Sequence, residues 1–160
     1  VPGVTSVEVI IGHALVQMAL AYMQTVFMLI VFVNVFDAPI RGSLLMCFVI
    51  PVTMAFCGMN FGFLTSSISK DEATALLLSL AALYPALLMG GVLWPIEGTP
   101  ALLRTVSWAV PQALPVHSMR GVMLRNYTAT NPYVLRGLVT NGCWTAAFLV
   151  LSVIIFSFST

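Results

Sequence analysis

Side chains able to do chemistry are scarce in this sequence, and most of them sit inside apolar runs. Five acids, six bases and two histidines are set in 160 residues that are 60% hydrophobic. His13, Gln17 and Gln24 recur at offsets of 4 and 11, which places them on one face of a helix. In lipid such groups turn towards other helices or water. The face therefore either contacts a ligand or supplies hydrogen bonds between helices. Asn60 lies between Gly58 and Gly62 and shares a helical face with Thr53 and Cys57, while Asn141 clusters with Thr140 and Thr145. Glu97 is the sole acid after Glu72. It is either a solvated loop residue or the ion-pair partner of Arg104 or Arg120. Asn126-Tyr127-Thr128 is an N-glycosylation sequon.

These residues exclude more than they establish. Catalysis within a membrane requires paired acids, a histidine cluster or a Ser/His dyad, and His13 alone does not provide one. His117 has no second His, Cys or carboxylate at metal-ligand spacing, so it reads as a solvated interface residue. A net charge of +1 gives no nucleic-acid footprint. Cys47, Cys57 and Cys143 all fall in apolar runs and read as small buried hydrophobes rather than a disulfide frame.

The elements that position these groups are membrane helices. With only 7% charged residues, the composition is that of an all-α membrane protein. Thr5, Ser6 and Glu8 open the first helix, with Thr5 and Glu8 at capping-box spacing. Four spans are expected at about 8–36, 43–69, 73–94 and 138–160, each near the ~20 residues that a crossing needs. Pro51 and Pro85 should bend the second and third spans. Gly58 and Gly62 form a small-xxx-small face suited to close helix contact. Ser69 and Glu72 again have capping-box spacing.

The Gly90–Pro100 stretch closes the third span. Gly90 and Gly91 loosen the helix end, and Pro95 and Pro100 forbid its simple continuation. From there to residue 137 the chain is expected to make two short interfacial or re-entrant helices. The first, about ten residues long, starts at Thr99-Pro100, carries Leu102, Leu103, Val106, Ala109 and Val110 on one face, and ends at Pro111. The second runs from Leu114 to Leu124. The chain starts Val1-Pro2 with no cleavable signal pattern ahead of its first span, which gives the expectation of a piece of a longer protein.

Four spans place the Asp37–Gly42 turn and the 95–137 segment on one side, with Arg41, Arg104, Arg120, Arg125 and Arg136. Only Lys70 lies on the other. The positive-inside rule would make the arginine-rich side cytoplasmic, whereas the sequon asks for the opposite.

The string Gly91-Val92-Leu93-Trp94-Pro95-Ile96-Glu97-Gly98-Thr99-Pro100, followed by Leu103-Arg104, Ser107, Pro111 and Ser118-Met119-Arg120, resembles the closing half of type-2 ABC exporter permeases. Pro111 to Arg120 is most like the ABCG/ABCH branch, although that branch commonly has an acid where His117 stands. Gly3 to Glu8 is similar to the family's cytoplasmic coupling segment. The resemblance implies that residues 1–160 are the C-terminal part of a six-helix transmembrane domain, with the 95–137 loop extracellular. It implies an ATP-binding domain elsewhere, in the same chain or a partner, because no G-x-x-x-x-G-K-[ST] loop occurs here. On that reading this chain is not itself an enzyme and holds no cofactor, ATP and Mg being bound by the other domain. A second membrane domain, as homo- or heterodimer, would complete the path.

The expected function is ATP-driven export of a lipid or other amphipathic substrate across the plasma membrane. Gln17, Gln24, Asn60 and Asn141 are the expected path residues; Thr5, Ser6 and Glu8 form the coupling segment. Glu97, Arg104 and Arg120 form an outer gate, and Asn126 is the glycosylation site. The alternative is a passive channel or scaffold subunit without ATP coupling.

Overall fold

A computed structural model describes residues 6–93, 98, 100–108 and 110–159. Thr5, Glu97 and Thr99 lie outside the described residues, as does the side chain of Arg104. Among the described residues six helices follow one another: α1 (Ser6–Asn34), α2 (Leu44–Ile68), α3 (Glu72–Met89), α4 (Ala101–Ser107), α5 (Ala113–Arg125) and α6 (Pro132–Ser159). No strand occurs among the described residues. Helices α1, α2, α3 and α6 are long and apolar enough to cross a membrane. A helix meets the backbone's hydrogen-bonding needs within itself, as lipid demands. At 1.5 Å per residue, α3 spans about 27 Å and α1 about 43 Å, against a hydrocarbon core of about 30 Å. Pro51 and Pro85 both lie inside unbroken helices.

Several boundaries depart from expectation for local reasons. Helix α3 ends at Met89 rather than 94, because the Gly90 N–H closes on the Ala86 carbonyl at 2.7 Å and Gly91 takes φ 73°. That left-handed conformation suits glycine. Helix α6 starts at Pro132 rather than 138. The Asn131 side-chain oxygen accepts the Tyr133 N–H at 3.0 Å, and proline fills the first helical position. Ser69 does not open α3; its hydroxyl donates to the Thr65 carbonyl at 2.7 Å and closes α2. Asp71 caps α3 instead, accepting the Thr74 N–H at 2.9 Å and the Thr74 hydroxyl at 2.8 Å. Helix α4 has seven residues rather than ten. Its Leu102 and Val106 are exposed.

The most extensive helix contact joins α2 to α6. Cys57, Leu64 and Phe148 are its buried centre. A second centre, Cys47, Ile50, Val122 and Val134, brings α5 against the same pair. Cys143, expected to be buried, is exposed, because α6 turns the face opposite Asn141 outward.

Helix α5 runs antiparallel to the first turns of α6. The Ser118 hydroxyl donates to the Tyr133 carbonyl at 2.9 Å, and a Cβ on Gly137 would collide with that hydroxyl and crowd the Leu114 carbonyl. The Arg41 N–H bonds the Met123 carbonyl at 3.0 Å, and Gly42 packs on the Val122 carbonyl, so the α1–α2 turn sits against the far end of α5. Gln112, at the near end, shares a cleft with Asn141. From Pro132 to Asn141 the helix rises about 13 Å. The 110–112 turn is thus carried down alongside α6, which favours a re-entrant hairpin over a pair lying flat.

Candidate functional site

Gly58 and Gly62 of α2 border two grooves. A methyl group added at either would touch nothing within 4 Å, so among the described residues no helix makes the close contact that their spacing invites. The first groove, between α1 and α2, encloses about 580 Å³. His13, Gln17 and Gln24 of α1 face it, with Gly58, Gly62 and Ser66 on the α2 side. The helical offset therefore brings together the three polar groups of α1, and two of the four expected path residues. The His13 ring lies 6.0 Å from that of Phe63.

The other two expected path residues lie elsewhere. Asn60 is buried, and its amide donates to the Phe56 carbonyl one turn back at 2.8 Å. It lines neither groove, because α2 turns that face onto its neighbours. Asn141 lines the second groove, between α3 and the α2–α6 pair, which encloses about 570 Å³. Its side-chain nitrogen is buried without a hydrogen-bond partner.

At the level of the α5 hairpin, Arg120 donates to the Gly91 carbonyl. This ties α5 to the end of α3. Of the expected gate, Glu97 and the Arg104 side chain fall outside the described residues, so Arg120 alone has a described contact. His117 is half-buried, with the Trp108 ring 6.0 Å and the Tyr133 ring 6.3 Å away. Expected to be solvated, it is instead packed, because α5 lies on α6. Asn126 is exposed and ends α5 in the left-handed conformation, φ 55°. The Tyr127 N–H then returns to the Gly121 carbonyl at 3.3 Å. In the coupling segment, α1 opens at Ser6 and Glu8 is exposed.

Two structural contacts had no clear sequence signal. The Ser118–Gly137 seat joins residues in different helices, and no spacing rule links them. The Arg120–Gly91 tether was marked only by a cation in the middle of a short helix and a Gly-Gly pair far upstream.

The sequence profile of ABC-2 type transporters matches residues 1–124. The chain is also 32% identical over 160 residues to ABC transporter G family member 20 of Dictyostelium discoideum, covering 96% of this chain and 20% of that protein. The chain belongs to the ABC-2 type transporter family. Another relative in that family, ABC transporter G family member 23 of the same organism, is 28% identical over 98% of this chain and 21% of its own length. The probable multidrug ABC transporter permease YbhS of Escherichia coli K12 is 26% identical over 76% of this chain and 32% of its own. The chain therefore spans about a fifth of the length of its Dictyostelium relatives. No solved structure matches it. The matched ABC-2 region includes both grooves' α2 wall, the α3 end and nearly all of α5. Family and helices together make this chain an integral, multi-pass permease membrane domain rather than a catalytic domain.

Proposed function

We propose that this ABC-2 membrane domain forms part of an ATP-driven exporter of a hydrophobic or amphipathic molecule, with the α1–α2 groove as part of its path. The observation that carries the reading is the polar face of His13, Gln17 and Gln24, set across an open glycine floor inside otherwise apolar spans. A path with few amides among apolar walls suits a lipid-like cargo better than an ion or a sugar. The relatives' names speak of ABC transporters and of a probable multidrug permease, which supports transport as the activity. ATP would be bound by a domain in the same chain or a partner, and a second membrane domain would supply the facing wall. Ser6 and Glu8, at the start of α1, would pass motion into that helix. The α5 hairpin, held to α3 through Arg120, would close the outer end, in the plasma membrane with Asn126 outside.

The test is transport by the full-length protein in proteoliposomes, read as movement of a fluorescent phospholipid with ATP and with a non-hydrolysable analogue. ATP-dependent movement that falls about tenfold in Gln17→Leu/Gln24→Leu is the expected result, a loss of about 1.4 kcal/mol. Movement indifferent to ATP would replace this reading with the passive channel or scaffold.

A further inference from the structure

The second groove is chemically unlike the first. Its walls are almost wholly apolar: Met54, Cys57 and Phe61 from α2, Leu80 and Leu83 from α3, Phe148 from α6. Its two side-chain amides gather at one end, where Gln112 of the re-entrant turn and Asn141 of α6 meet the level of Ala86, while the Ser79 hydroxyl farther along α3 donates to the Ala75 carbonyl. Asn141 is 2% exposed, and its amide nitrogen has no acceptor. Other hydroxyls and amides within the spans do not share that fate. Thr25, Asn60, Thr65 and Thr145 each donate to a carbonyl of their own helix. A buried donor left unpaired carries the full cost of its desolvation, and in a membrane no water relieves it. Asn141 is therefore a buried donor at the wall of a cleft, and none of the groups lining that cleft accepts from it.

We infer that the cleft between α3 and the α2–α6 pair is a binding site for a small amphipathic ligand, an apolar body bearing a single ester or ketone oxygen, whose oxygen accepts from the Asn141 amide. The cleft volume of about 570 Å³ lies within the range of small-molecule sites. The terminal torsion of an asparagine is broad, so the amide can turn its N–H to an acceptor entering the cleft. The apolar body would lie along Leu80 and Phe148, away from the polar end. A ligand polar along its length would bury those groups unpaired against the apolar walls, which confines its polarity to the end at Asn141 and Gln112. Helix α3 packs only lightly on its neighbours, so the ligand would fill the gap between α3 and the α2–α6 pair. The site is separate from the α1–α2 groove and requires neither ATP nor transport.

The experiment is photolabelling of the full-length protein in detergent without ATP, using a fatty-acid methyl ester that carries a mid-chain diazirine, followed by peptide mapping. Labelling should concentrate on α2, α3 and α6 residues of the cleft. The unlabelled methyl ester should compete for it, and the alkane of equal length should compete about tenfold less well, in line with one buried hydrogen bond. Asn141→Leu should lower labelling by a similar factor, and Leu80→Trp, which fills the cleft from α3 at its apolar end, away from the amide, should lower it as well. Equal competition by the alkane would overturn the proposal, as would labelling spread evenly over the lipid-facing sides of α1 and α3. So would disulfide capture of a Leu83→Cys variant by another protein helix, which would show a helix as the occupant. Loss of ATP-driven transport with labelling intact would sink only the exporter reading.

Discussion

At the scale of single residues, the closest seat among the described glycines is Gly137 beneath Ser118. A methyl group there meets the hydroxyl and crowds the Leu114 carbonyl, both fixed by helix geometry. Overpacking of this kind costs about 1–3 kcal/mol. Gly137→Ala should therefore lower the thermal midpoint of the purified protein, whereas Gly58→Ala, which meets open space, should not. Pairing Gly137→Ala with Ser118→Gly should restore part of the loss, a coupling that additive effects would contradict. Asp71 yields a prediction of opposite character. Its carboxylate accepts both the Thr74 N–H and the Thr74 hydroxyl, and these bonds hold its pKa below the ordinary carboxylate value. A folded-state pKa lower than the unfolded one means that the cap's contribution is present above the unfolded value and lost as the pH falls through the folded one. A carboxyl carbon titration by NMR should show Asp71 ionising below the ordinary carboxylate value. Asp71→Asn should keep α3 capped and remove the pH dependence.

At the scale of helices, the ends are decided by capping rather than by hydropathy. The apolar run that marks the last span begins after Arg136, yet α6 starts at Pro132 because Asn131 caps it and proline suits the first position. Replacing Asn131 with Ala should cost about 1 kcal/mol and speed hydrogen exchange of the amides at 133–135, leaving the middle of α6 unchanged. This is also where the legibility of the sequence is plainest. Among the described residues, the existence and order of the four spans follow from charge-free runs, since lipid leaves the backbone no other choice, and those of α4 and α5 from an amphipathic pattern and bounding prolines. The face shared by His13, Gln17 and Gln24 was legible for the same reason, helical period alone fixing it. Asn60 and Asn141 were not separable, being amides in equally apolar settings. Only packing tells that one reaches its own helix's carbonyl while the other borders a cleft. Ser69 and Asp71 show the same limit, because two capping residues within three positions compete and geometry selects one.

At the scale of the whole molecule, the issue is which side of the membrane holds the α5 hairpin. Arg41, Arg104, Arg120, Arg125 and Arg136 stand at that end and argue for the cytoplasm. Two of them have work there that owes nothing to topology. Arg120 bonds the Gly91 carbonyl, and Arg125 approaches the Tyr127 hydroxyl at 3.4 Å. A cation bonded to the protein itself is a poorer witness to translocation, which weakens the count. The sequon counts the other way: Asn126 and Thr128 are both exposed at the tip of the hairpin. In the full-length protein made in a eukaryotic secretory host, enzymatic deglycosylation should shift the band, and Asn126→Gln should abolish the shift. A single cysteine at the exposed Thr130 should react with a membrane-impermeant maleimide added outside intact cells. Reaction only after the cytoplasmic face is opened would reverse the orientation. The Arg120-held hairpin would then face the ATP-binding side, where it could not serve as an outer gate.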